Sequence, residues 1–106
     1  MKTTTEDLVP VYDRAKSFYR KAYVRTEEED GRNVMTLVSY NTDVAQIIET
    51  DNELVLSILN PEVISDDGRY IDALTTTTAR HINEFIQQNG FEWMTIGEMR
   101  KKAEGE

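Results

Sequence analysis

His81 is the one histidine in the chain, and there is no cysteine. Most zinc and facial-triad sites need a second histidine or a thiolate. Disulfides and thiolate nucleophiles fall with them. A lone histidine could still serve as a general base, although one in a helix is usually a packed or half-exposed residue. No serine sits in a Gly-x-Ser-x-Gly elbow. The five glycines are too scattered to cradle a phosphate. Asp66-Asp67-Gly68 lacks the alternating acids and the closing Glu of a calcium loop. The expectation is a chain with no metal, no cofactor and no catalytic residue, hence not an enzyme.

Two charged stretches could do other chemistry. From Arg14 to Arg25 there are five bases (Arg14, Lys16, Arg20, Lys21, Arg25) and no acid. They alternate with aromatic rings, as single-stranded nucleic-acid sites do, with cations for phosphates and rings for bases. On a strand, Tyr19, Lys21, Tyr23 and Arg25 would share one face. The plainer reading is a hairpin whose outer face pairs with Glu27, Glu28 and Glu29. From Asp43 to Asp72 the balance reverses, with Asp43, Glu49, Asp51, Glu53, Glu62, Asp66, Asp67 and Asp72 against Arg69 alone. With a formal net charge of −8, such a stretch would suit a basic surface on a partner protein. The same acidity could serve solubility only, and it makes the chain a poor non-specific ligand for nucleic acid. Thr75 to Thr78 could be modified or hold a ligand, but threonines before a helix also cap it.

The elements that would position these residues can be read from periodicity. Leu8, Tyr12, Ala15, Tyr19, Ala22 and Tyr23 could share one helical face, yet Pro10 would sit inside that helix at a cost of about 3 kcal/mol. A hairpin fits better, with strands near 17–26 and 33–40 around a turn at 28–32 that contains Asp30-Gly31. Val44-Ala45-Gln46-Ile47-Ile48 and Glu53-Leu54-Val55-Leu56-Ser57-Ile58 supply two more strands, separated by the polar turn Thr50-Asp51-Asn52. Asn60-Pro61 stops the last, and 60–69 reads as a loop. Ala79, Ile82, Phe85 and Ile86 mark a helix from about Thr76 to Asn89, ended by Gly90, with Phe91 placed to fold back on the last turn. A short helix near 95–102 follows. The fold class is therefore α+β, an antiparallel meander of about four strands packed on one main helix, plus a short C-terminal helix.

With 106 residues the chain fits a single domain, 1–106, with flexible ends at 1–9 and 103–106. Three Phe, five Tyr and one Trp in a 39% hydrophobic composition argue for a folded core over disorder. No apolar run reaches membrane-spanning length, and Met1 to Asp7 lacks the apolar core of a signal peptide. A cytoplasmic protein with no membrane partner is the expectation.

Three segments carry a resemblance: Lys16-Ser17-Phe18-Tyr19-Arg20-Lys21-Ala22, Leu37 to Ala45 through Ser39-Tyr40-Asn41-Thr42, and Thr77-Thr78-Ala79-Arg80-His81-Ile82-Asn83 running on to Gly90-Phe91. Across roughly residues 10–91 the sequence resembles a family of small uncharacterised proteins of bacteria, their phages and mobile elements. These share "KSFY-KA", "SYNT-VA" and "TT-HIN-F" motifs. The resemblance implies strands over helix at 17–26 and a shorter loop than the acidic one at 59–72, and it brings no catalytic residues. Small size, the net charge of −8 and the acidic stretch at 43–72 favour a binding protein of phage or mobile-element origin that occupies a basic surface of a host protein, in the manner of anti-CRISPR inhibitors. A nucleic-acid-binding accessory domain using Tyr19, Lys21, Tyr23 and Arg25 is the second reading. A module that forms a homodimer through an exposed strand edge is the third.

Overall fold

The computed structural model describes residues 2–59, 62–64, 67–68, 70–72 and 74–105, with 62–64 and 70–72 described by their backbone. Strands β1 (Lys2–Asp7), β2 (Ala22–Glu29), β3 (Arg32–Ser39), β4 (Thr42–Glu49) and β5 (Leu54–Ile58) form one antiparallel sheet in chain order. β6 (Glu62–Ile64) and β7 (Tyr70–Asp72) pair separately, and α1 (Thr76–Gln88) and α2 (Ile96–Ala103) complete the chain. The α+β meander with one main helix and a short second one is the architecture read from the sequence.

Three details differ. The sheet starts earlier, because β1 pairs with β2 from Lys2↔Glu28 to Asp7↔Tyr23. Every side chain of β1 is exposed, so no apolar alternation marks it as a strand. β2 starts later than residue 17. Phe18 to Lys21 is a turn in which the Lys21 amide donates to the Phe18 carbonyl at 2.9 Å, with Tyr19 and Arg20 at φ 52° and 61°. The region read as a loop at 60–69 contains β6, and Asp66 lies outside the described residues.

The β2–β3 and β3–β4 links are two-residue turns. Asp30 and Gly31 have φ 43° and 78°, and Tyr40 and Asn41 have φ 50° and 65°. Positive φ at both central residues is the type I′ pattern, whose twist matches that of the flanking strands. Asp-Gly is suited to it. Tyr40 is not, since a left-handed conformation costs about 1–2 kcal/mol for a residue with a Cβ.

The helices cover one face of the sheet. Leu37, Ala45, Ile47, Leu56 and Ile58 meet Ala79, Ile82, Phe85 and Ile86 of α1 and Met99 of α2 in one buried cluster. A bulge in β4 opposite Leu37 and Val38 inserts one extra residue, so the consecutive residues Val44 and Ala45 both join that core. Thr75 caps α1 by accepting from the Thr78 amide at 3.2 Å. At the other end the Gly90 amide donates to Gln87 and the Phe91 amide to Ile86, a Schellman stop with Gly90 at φ 90°. Thr95 and Glu98 form a capping box on α2. Asn83 holds the link between the helices by bonding both the amide and the carbonyl of Met94.

Between β1 and β2 the chain runs from Leu8 to Lys21 as an irregular strap over α1. Its apolar ends, Leu8 and Phe18, are buried in the core. Its middle is held by polar groups at four-residue intervals on α1. Glu84 is 1% exposed, and its Oε1 accepts from the amides of Tyr12 and Asp13 at 2.8 Å each. Gln88 donates to Glu84 Oε2 at 2.7 Å and to the Val9 carbonyl at 2.8 Å. Arg80 grips Asp13, with Nε to Oδ2 at 3.0 Å. Replacing Glu84 by Ala leaves two amides without their acceptor, so Glu84→Ala should destabilise the fold by about 2–3 kcal/mol. Glu84→Gln, which keeps an acceptor oxygen, should recover most of that loss. Urea midpoints of the three proteins check this, and an unmoved Ala midpoint would show that the strap is held otherwise.

Candidate functional site

The segments carrying the resemblance come together at one end of the sheet. Ser17, Phe18, Tyr19 and Lys21 of the strap, Tyr40 of the β3–β4 turn, and Thr77, Arg80 and His81 of α1 line a cavity of about 170 Å³. A second cavity of about 430 Å³ shares Tyr40 and Thr77 and extends to Thr42, Val44 and Thr75. Tyr19 is 78% exposed and Tyr40 48%. The Lys21 ammonium lies 5.8 Å from the centre of the Tyr40 ring. The Tyr40 amide donates to the Lys21 carbonyl at 2.9 Å, which ties the two turns together.

Beneath the tyrosines lies a buried polar chain. His81 Nδ1 is 2.8 Å from Ser39 Oγ, which is 3.4 Å from Thr78 Oγ1, itself bonded to Thr75 Oγ1 at 3.2 Å. Phe18 meets the imidazole edge-on, with ring centres 4.6 Å apart, and Tyr40 lies 5.7 Å away. Burial lowers the His81 pKa below its ordinary value, and the nearby Arg80 adds to the effect. The ring is therefore neutral at pH 7. The Ser39–His81 separation suits a nucleophile and its base. Both residues are buried, however, and among the described residues no carboxylate bonds the ring to orient it. What the chain does in the fold is join the β3–β4 turn to the first turns of α1.

The residues expected to form a basic face are divided. Tyr19 and Lys21 lie before β2 at the cavity. Tyr23 and Arg25 lie within β2, paired in register with Val38 and Thr36. Arg25 bonds Glu27 at 3.3 Å and Asp43 at 3.1 Å, and the Asp43 bond chiefly raises its pKa. The premise of a strand carrying all four therefore does not hold, because the turn at Tyr19-Arg20 interrupts it.

The acidic residues divide as well. Asp43 and Glu49 stand at opposite ends of β4. Glu49, Asp51, Glu28, Glu29 and Asp30 instead line an open cleft of about 890 Å³ at the far end of the sheet, with Lys2, Arg32 and Asn33. The register places Glu28 and Glu49 on either side of Asn33, and Asn33 Nδ2 donates to Glu49 at 3.3 Å. Glu53 is at the adjoining β4–β5 turn, where its amide donates to Thr50 Oγ1. Glu62 and Asp72 are register partners in the β6–β7 hairpin, and Asp67 is exposed at the turn between those strands. Among the described residues no group of three or more His, Asp or Glu could hold a metal ion, and no helix is long and apolar enough to cross a membrane.

A family of unknown function, DUF8033, matches residues 7–102. The chain belongs to that family. No curated protein and no solved structure matches it. The DUF8033 match takes in the strap, β2 to β5, α1 and most of α2, including every residue of the tyrosine-lined cavity. It begins at the last residue of β1.

Sequence reasoning singled out Tyr19, Lys21 and His81 but missed Ser39, Tyr40 and Glu84 in this DUF8033 chain. The Arg80, Glu84, Gln88 spacing was the available signal for the strap, since three long polar residues at four-residue intervals share one helix face. Two pH windows follow, one from the burial of His81 and one from the Asp13–Arg80 bond. Below about pH 6.5 the unfolded chain binds a proton at His81 that the folded chain resists, so stability is full above that value and declines as pH falls below it. Asp13, held down to about 2 chiefly by its bond to Arg80, contributes stability that is full above the ordinary carboxylate pKa and lost as pH falls toward about 2. Urea midpoints at about pH 7.5 and 5.5 should fall for the native chain and change less for His81→Gln. Equal slopes would place the titration elsewhere.

Proposed function

We propose that this chain is a non-enzymatic binding protein that docks its acidic end on a basic surface of a partner protein. The observation that supports this is the cleft at the β2–β3 and β4–β5 turns, where Glu28, Glu29 and Asp30 join Glu49 and Asp51. Two chain segments separated in sequence supply one concentration of carboxylates. Glu28 and Glu49 stand on strands two apart, about 10 Å from each other, so the sheet holds their spacing. Fixed negative groups of this kind complement the cationic channel of a protein that handles nucleic acid, steer the encounter and exclude like-charged partners. In this reading the chain inhibits such a host protein, including defence proteins of the CRISPR type, on behalf of a phage or mobile element.

Capture from a bacterial lysate tests the reading. At about 50 mM salt the native chain should retain nucleic-acid-handling proteins and release them at about 500 mM, as screened ion pairing requires. Glu28→Lys/Glu49→Lys/Asp51→Lys should retain at least tenfold less, with its circular dichroism unchanged. Retention of the same proteins by the triple variant, or of none by the native chain, would overturn the acidic end as the docking surface.

A further inference from the structure

We propose that the tyrosine-lined cavity at the opposite end binds a nucleotide unit, with its phosphate at Lys21 and its base against Tyr40 and Tyr19. This does not rest on the acidic end, which lies the length of a strand away.

Backbone geometry points to a ligand first. Tyr19, Arg20 and Tyr40 all occupy left-handed conformations in two-residue turns, where Asn or Gly is the suited residue. Tyr19 gains little in return from packing, being 78% exposed. A large ring held in an unfavourable conformation and left in solvent has no account in folding. It has one in recognition, where strained residues cluster at binding sites.

Chemistry then narrows the ligand. Exposed rings beside a cation make the pairing that nucleotides meet in single-strand binding proteins, with stacking for the base and a positive charge for the phosphate. Lys21 has no ion-pair partner among the described residues. Asp13, on the same strap, is engaged by Arg80. Lys16 and Arg20 add positive charge on the same strap. Thr77, in the first turn of α1, borders both cavities, and that turn brings the positive end of the helix dipole. The Tyr40 ring lies beside the neutral His81 ring, tilted to it by 36°, and Phe18 meets that imidazole edge-on. The smaller cavity admits one phosphate or one base-sized ring, and the larger one beyond Tyr40 takes the other part. A phosphate alone, as on a lipid headgroup, would leave both tyrosine faces unused.

Fluorescence anisotropy and calorimetry on the full chain provide the test, with an oligothymidylate of about fifteen nucleotides, AMP and UMP, and inorganic phosphate as probes. The proposal expects saturable binding of the oligonucleotide or the mononucleotides, at least tenfold tighter than inorganic phosphate. Tighter binding of the oligonucleotide makes the source single-stranded nucleic acid; equal affinity makes it the free nucleotide. Lys21→Ala and Tyr19→Asn should each weaken binding at least fivefold. Tyr19→Asn carries a second readout, since Asn suits the left-handed turn and the variant should melt at or above the native temperature while binding worse. Absence of nucleotide binding at about 1 mM, phosphate binding as tight as nucleotide binding, or affinities unchanged in both variants would each overturn the proposal. Glu28→Lys/Glu49→Lys/Asp51→Lys should leave nucleotide binding undiminished, which separates this site from the acidic end.

Discussion

The Glu84 carboxylate governs how the rest of the molecule is assembled. It is buried, and buried charge is tolerated only when its oxygens are satisfied. Here the strap's own amides satisfy them. The carboxylate therefore selects one path for residues 8–21 across α1, and that path puts Phe18 into the core and leaves Tyr19 and Lys21 at the β3–β4 turn. Were the strap elsewhere, the core would lose Leu8 and Phe18, and the tyrosine-lined cavity would lack one wall. Irregular segments as long as this strap are uncommon in small domains unless they serve a function.

Much of the fold was legible because it follows local rules. Ala79, Ile82, Phe85 and Ile86 have helical spacing, Gly90 stops the helix, and Asp30-Gly31 closes a hairpin. Each is a short-range signal with a steric cause. β1 was not legible, since Lys2 to Asp7 offers only polar side chains and is a strand through pairing with β2. The strand start at residue 22 was also hidden. Tyr19-Arg20 carries none of the residues that normally announce a type I′ turn, and the alternation of Phe18, Ala22 and Val24 passes through it. Tertiary pairing overrode the local pattern in both places.

The candidate site was half legible for the same reason. Residue type drew attention to Lys21, Tyr19 and His81. Their meeting with Ser39 and Tyr40 depends on sheet register and on the strap, neither of which leaves a mark within a short window. The acidic stretch misled in a related way. Those of the eight acids that are described spread over both ends of β4, the β4–β5 turn and a separate hairpin, whereas Glu28 and Glu49, far apart in the chain, are neighbours across Asn33. Charge runs along a meander are cut at every turn, so a linear count conflates surfaces that the sheet keeps about 25 Å apart.

That separation gives the molecule an electric dipole moment along its strands, in addition to its net charge. One end gathers Glu28, Glu29, Asp30, Glu49 and Asp51 against Lys2 and Arg32, the other Lys16, Arg20 and Lys21. Two copies that each carry −8 repel, but less in line, acid end to basic end, than side by side in the same orientation. In dilute buffer, where the Debye length approaches the length of the strands, neighbouring molecules sense one another's orientation before they touch. Added salt removes that alignment while leaving the fold, whose core is apolar, intact.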